Sequence, residues 1–290
     1  MSKNFKDLKK RFLSSLVLIV ALVFIIIFAN NSSMRIVITL LIIIVALIAL
    51  WEYKLLAKQK HVKLSYFFLA SFAILEILSV LKMTYSYSFS IWPLFFFFLF
   101  VIISFLFGLI KIEKSWERVS FYLLGYIYVI VPISLILVIL YPQTMGLFQQ
   151  DGRLWLVFLL LVTKIGDIGA YIGGRAFGQK KLAQNVSPKK TLAGAYCSLI
   201  ASVVFGMIFY YLCVGYSARG FVVGLWEIVF LSIVFSVMGQ LGDLFESLLK
   251  RDAKTKDSNA KIPGLGGILD TMDSLMFNIP LLIFFYYIIF

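Results

Sequence analysis

Asp243 and Glu246 stand three residues apart, as do Asp270 and Asp273, and a fifth acid, Asp167, lies inside an earlier apolar run. Residues three apart share one face of a helix, so each pair turns two carboxylates in one direction. All five flank or interrupt stretches long enough to cross a bilayer. A carboxylate at the bilayer centre costs roughly 2.5–3.5 kcal/mol on insertion scales, so these side chains belong in a protected cavity with something positive to bind. A hard divalent cation suits them. Mg2+ takes carboxylate oxygens, keeps part of its water and leaves positions for a substrate phosphate. Asp270 and Asp273 would also favour the N-terminus of a final helix through its dipole, but capping accounts for two acids and not five.

The cationic groups that phosphate requires stand close by in the chain. Lys250 and Arg251 follow the helix bearing Asp243 and Glu246, and Lys256 and Asp257 come shortly after. Ser187-Pro188-Lys189-Lys190-Thr191 offers hydroxyls and two ammonium groups ahead of a helix start, where Thr191 can cap and the first N–H groups face an anion. Pro263-Gly264-Leu265-Gly266-Gly267 lets the backbone approach a ligand and donate N–H groups. Lysines in such loops also serve membrane topology. Their adjacency to buried acids, not their number, points to phosphate.

The elements that must position these groups are membrane spans. Of 290 residues, 62% are hydrophobic and 14% charged, against about 45–50% and 25% in soluble domains. The fold expected is all-α, a polytopic membrane helical bundle of about nine transmembrane helices, at 12–29, 34–51, 64–81, 91–110, 119–140, 153–174, 193–215, 221–249 and 270–290. With the N-terminus cytoplasmic, only Arg35, Lys82, Arg153 and Arg219 of the 27 lysines and arginines fall in outside segments, and Lys164 falls within a span. That distribution obeys the positive-inside rule and places the chain as a multi-pass protein of the cell (inner or plasma) membrane. The net charge of +13 would suit nucleic acid, but the basic residues are dispersed between spans and form no patch, so they point to membrane topology and no nucleic-acid partner is expected. The first span lacks a small-residue cleavage site after Phe28-Ala29-Asn30 and is expected to stay uncleaved.

Two regions of different character follow. Residues 1–150 read as five plain spans, a scaffold whose interior acid Glu76 is expected to be satisfied by a neighbouring helix. Residues 151–290 read as a catalytic domain of four spans with its site at the cytoplasmic face, between spans six, eight and nine. Gly166, Gly169, Gly173, Gly174 and Gly178 punctuate the sixth span, permitting either close helix contact or an unwound stretch lining a cavity. Cys197 and Cys213 lie about 24 Å apart along one helix and cannot bridge. His61, the single histidine, lies in a basic loop, so neither a histidine-bound zinc nor a Ser-His-Asp triad is available.

Several of these motifs, in order, resemble one family. Ser247-Leu248-Leu249-Lys250-Arg251, then Lys256-Asp257, then the run from Pro263 through Gly266 and Gly267 to Asp270-Thr271-Met272-Asp273 is similar to the signature of the phosphatidate cytidylyltransferases. Asp167 with Ala170-Tyr171 and Gly174-Arg175, and Ser187 to Thr191 with Gly194, resemble the same family. The likeness covers roughly residues 150–290. It implies CMP transfer from CTP to phosphatidic acid, with Mg2+ held by Asp243, Asp270 and Asp273 and room for a second cation. It further implies that Lys250, Arg251, Lys189 and Lys190 meet phosphate, supported by Ser187 and Ser247, with Lys256, Asp257, Gly266 and Gly267 in the substrate site. Asp167 either orients a lysine or belongs to the nucleotide pocket. The expected partners are CTP, phosphatidic acid and membrane lipid, and a homodimer is compatible with the pattern. This chain has Leu265, Thr271 and Ala193 where the family usually has His, Arg and Glu. Transfer to another lipid phosphate and a silent relative therefore stay open, as does a cation transporter, although the acids cluster at one face and no inverted repeat is visible.

Overall fold

The computed structural model describes residues 24–29, 31, 33–86, 90–110, 112–142, 146, 150–215, 220–255 and 267–289. Eight helices in it are long and apolar enough to cross a membrane. They are α1 (Met34–Gln59), α2 (Tyr66–Ser86), α3 (Trp92–Ile110), α4 (Ser115–Leu140), α5 (Gly152–Phe177), α6 (Leu192–Gly215), α7 (Leu225–Asp252) and α8 (Ile268–Ile289). The protein is a polytopic helical membrane protein. Each helix coincides with an expected span. The first span, 12–29, lies mostly outside the described residues, with only its end, 24–28, seen as helix.

α1 runs eight residues beyond the apolar stretch that predicts it. Glu52, Tyr53, Leu56 and Ala57 continue its buried face, while Lys58 points outward. Helical periodicity outlasts hydrophobicity here, and a carboxylate is carried into the interior.

The chain falls into two compact units, one comprising Met1–Leu137 and Asp252–Met272, the other Val138–Arg251 and Asp273–Phe290. In the first, an aromatic cluster fills the interior. Phe68 stacks on Phe100 at 4.9 Å between ring centres, and Tyr126 lies 4.5 Å from Phe100. Pro132 lacks the N–H that would close an α-helical turn, and a π-helical turn over Tyr126–Ile130 absorbs the break. The Tyr126 hydroxyl donates to Glu76 Oε2 at 2.8 Å. Glu76 is thereby satisfied from a neighbouring helix, as expected.

In the second unit α5 packs most extensively against α6. The expected choice between close contact and unwinding is decided for contact, because α5 is continuous to Phe177. A Cβ on Gly169 would lie 2.7 Å from Ala201 Cβ, and one on Gly173 would overlap the Cys197 side chain. Cys197 therefore packs against a glycine, and both cysteines are free thiols. Gly173→Ala is expected to force the helices apart at a cost of about 1–3 kcal/mol. Thermal unfolding in detergent checks this, and a midpoint equal to wild type would show that the contact is looser than described.

The segment between α5 and α6 is largely structured. α5 runs to Phe177, and β1 (Lys181–Ala183) pairs antiparallel with β2 (Ser187–Thr191) in a small hairpin. Thr191 Oγ1 then accepts from Gly194 N at 3.1 Å and caps α6, as its type and position predict.

Candidate active site

The hairpin delivers a lysine to an acid. β2 leads Lys190 to α7, where its Nζ lies 2.7 Å from Asp243 Oδ2. Ser247, one turn further along α7, approaches the other oxygen of Asp243 at 3.4 Å. Arg251 donates through Nε to the Val186 carbonyl at 3.3 Å, tying the hairpin turn to the end of α7. Strand, turn and helix thus hold one another, which locates Lys190 better than a free loop would.

A second opposite-charge pair lies on α5. Lys164 Nζ is 3.4 Å from Asp167 Oδ2 on α5 and 3.2 Å from Ser274 Oγ on α8. Asp273 precedes Ser274, is 8% exposed, and accepts at Oδ1 from the Ser274 amide at 2.5 Å. Asp243, Asp167 and Lys164 all lie within electrostatic reach of Asp273. Close backbone approach brings these acids together, since a Cβ on Gly242 would lie 2.5 Å from the Asp273 carbonyl oxygen. Below them Asn278 donates to Thr163 Oγ1 and to the Phe235 carbonyl, at 3.2 and 2.9 Å. Three carboxylates and two ammonium groups thus share a polar seam along α5, α7 and α8. Such a mixture suits a ligand that carries negative phosphates.

The other sequence-predicted residues divide as follows. Lys250 is engaged by Glu246, whose carboxylate is fully buried and lies 2.6 Å from the ammonium. The two acids of the Asp243 and Glu246 pair therefore serve different partners, although they share a helix face. Ser187 opens β2, half-buried, and Lys189 is exposed. Asp270 lies one turn before Asp273 on α8 and belongs to the first unit. Gly267 is buried, and its carbonyl accepts from the Thr271 amide and hydroxyl at 3.1 and 2.8 Å. Lys256, Asp257 and Gly266 lie outside the described residues, as does Leu265. Lys164 was visible in the sequence only as a cation inside a span. Its spacing of three from Asp167 was the signal that marked it as the partner of that acid.

Carboxylate and hydroxyl oxygens are the hard ligands Mg2+ prefers. Among the described residues, no three His, Cys, Asp or Glu side chains form a group that could hold a metal ion. What is present fits a cation held by one or two carboxylates that completes its shell with phosphate oxygens and water, the usual habit of Mg2+.

The chain belongs to the cytidylyltransferase family, whose sequence model matches residues 9–289. It is 43% identical over 138 residues to a phosphatidate cytidylyltransferase of Staphylococcus saprophyticus, covering 46% of this chain and 49% of that protein. Over 162 residues it is 38% identical to the protein of that name from Chlamydia muridarum, covering 53% and 50%. Over 143 residues it is 37% identical to the one from Haemophilus influenzae, covering 48% and 47%. The chain spans about half the length of the relatives it matches.

Proposed function

We propose that this protein is a phosphatidate cytidylyltransferase, which transfers CMP from CTP to phosphatidic acid and leaves CDP-diacylglycerol in the membrane. The observation that carries the reading is the cluster of Asp167, Asp243 and Asp273 with Lys164 and Lys190, set among membrane-length helices in a member of this family. A nucleotide from the cytosol and an acceptor held by its acyl chains must meet at the headgroup level, and charged groups built into helix interiors suit that meeting. Residues 151–290 carry the chemistry in this reading and residues 1–150 serve as scaffold. The chain lies in the cytoplasmic membrane with its N-terminus inside.

A phosphate oxygen of phosphatidic acid attacks the α-phosphorus of CTP. The bond from that phosphorus to the β-phosphate bridge breaks, and its electron pair leaves on pyrophosphate. The nucleophile is already an anion, so no general base is needed, in keeping with a chain whose single histidine is His61. The work of the protein is alignment and charge neutralisation. Lys190 exchanges Asp243 for a CTP phosphate, and Lys164, steadied by Asp167 and Ser274, faces the acceptor phosphate. Arg251 holds the hairpin so that Lys190 stays in line, Ser187 and Lys189 extend the binding surface, and the family resemblance implies substrate roles for Lys256, Asp257, Gly266 and Gly267. Asp243 and Asp273 would hold Mg2+, with Asp270 a turn away on α8, and the ion when bound draws charge from phosphate oxygens.

The test is purified protein in lipid with labelled CTP, Mg2+ and a panel of phosphatidic acid, polyprenyl phosphate and an ether-lipid phosphate. Lipid-soluble label is expected with phosphatidic acid alone. Label that appears only with another lipid would transfer the reading to that acceptor, and none with any lipid would end it.

A further inference from the structure

We infer that Glu52, a residue of the scaffold half, is a positioning residue for Asp270 on α8. Its carboxylate is fully buried, and it is the single acid of α1. A charge so placed needs compensation. It finds it 216 and 217 residues along the chain, where the amides of Ile268 and Leu269 donate to Oε1 and Oε2 at 3.1 and 2.9 Å. These are the first two N–H groups of α8, which no earlier turn of the helix can satisfy. The residue before them is Gly267, which has no side chain and cannot cap in the usual way. Glu52 supplies the missing acceptor, and its negative charge also suits the positive end of a helix 22 residues long.

The consequence for the site is geometric. Asp270 lies in the first turn after this cap, and each residue of helical slippage turns a side chain by about 100°. A helix start held at two successive amides cannot slip. Glu52 thereby sets which way Asp270 points without touching a substrate itself. The inference rests on the proposed reading for what Asp270 does, but not for the cap.

The experiment measures amide exchange and cation dependence on the full chain in lipid nanodiscs. Glu52→Ala is expected to speed exchange at Ile268 and Leu269 by about tenfold or more, with peptides from α5 and α6 unchanged. Glu52→Gln keeps an acceptor oxygen, so it preserves insertion and shows a smaller increase. In Glu52→Gln the Mg2+ concentration giving half-maximal label transfer is expected to rise about tenfold. That midpoint does not depend on how much protein is folded, so a merely structural loss would leave it in place. Wild-type exchange at Ile268 and Leu269 in both variants, or an unmoved midpoint in Glu52→Gln, overturns the inference. Wild-type protein that transfers no label sinks the enzymatic reading instead, and the exchange rates alone then decide the cap.

Discussion

Asp243→Asn is expected to reduce label transfer about a hundredfold to a thousandfold while leaving the protein inserted and folded. The substitution keeps the shape of the side chain and removes its charge. Lys190, 2.7 Å from that carboxylate, then loses its ionic partner, and the cluster becomes more positive by one unit. Phosphate binding should not suffer from that change, so the KM for CTP is expected to hold or fall. Turnover is expected to collapse, because the lost oxygen is one that would hold the cation against charge developing on the leaving group. Removing a group that acts mainly in the transition state lowers kcat and spares KM, and single electrostatic contributions of this kind are typically worth about 10²–10³ in rate. Steady-state assays at saturating and limiting CTP separate the two constants. If kcat stays within tenfold of wild type, Asp243 is no cation ligand, and its role reduces to seating Lys190.

Lys250→Met is expected to cost stability before it costs anything else. Glu246 is fully buried, and the Lys250 ammonium lies 2.6 Å from it, itself only 14% exposed. Taking one partner from a buried ion pair leaves a charge that low-dielectric surroundings cannot hold, with losses of about 3–5 kcal/mol in comparable cases. The unfolding midpoint in detergent should fall by several degrees. The double variant Glu246→Gln with Lys250→Met removes both charges and is expected to regain most of that loss. Its activity then separates two roles. A stable double variant that still fails to transfer label supports the phosphate contact that the family resemblance implies for Lys250. One that transfers at the wild-type rate assigns the lysine to structure alone.

These two cases illustrate how spacing along a helix can mislead. Asp243 and Glu246 are three residues apart and were expected to face one pocket, yet one meets the hairpin lysine and the other a lysine of its own helix. Residues on a common face still diverge by tens of degrees, and burial decides the rest. The hairpin shows a related limit. Lys181 to Thr191 contains no run of alternating apolar residues, so nothing local announces a strand. The pairing is set by the short span between α5 and α6 and by Arg251 reaching back to the Val186 carbonyl.

The amino-acid order alone determined that this is a polytopic helical membrane protein and where its spans lie. It also determined which acids and lysines are out of place in an apolar setting, because hydrophobic length and the cost of a buried charge are local properties. Motif order along the last half likewise pointed to the cytidylyltransferases without any coordinates. Only the tertiary structure decided that Lys190 meets Asp243, that Lys164 bridges Asp167 and Ser274, and that Glu52 caps the helix carrying Asp270 and Asp273. Each of those contacts joins residues far apart in the chain or hidden within a span. Which distant polar group satisfies which is settled only when helices pack closely enough that none can turn to water.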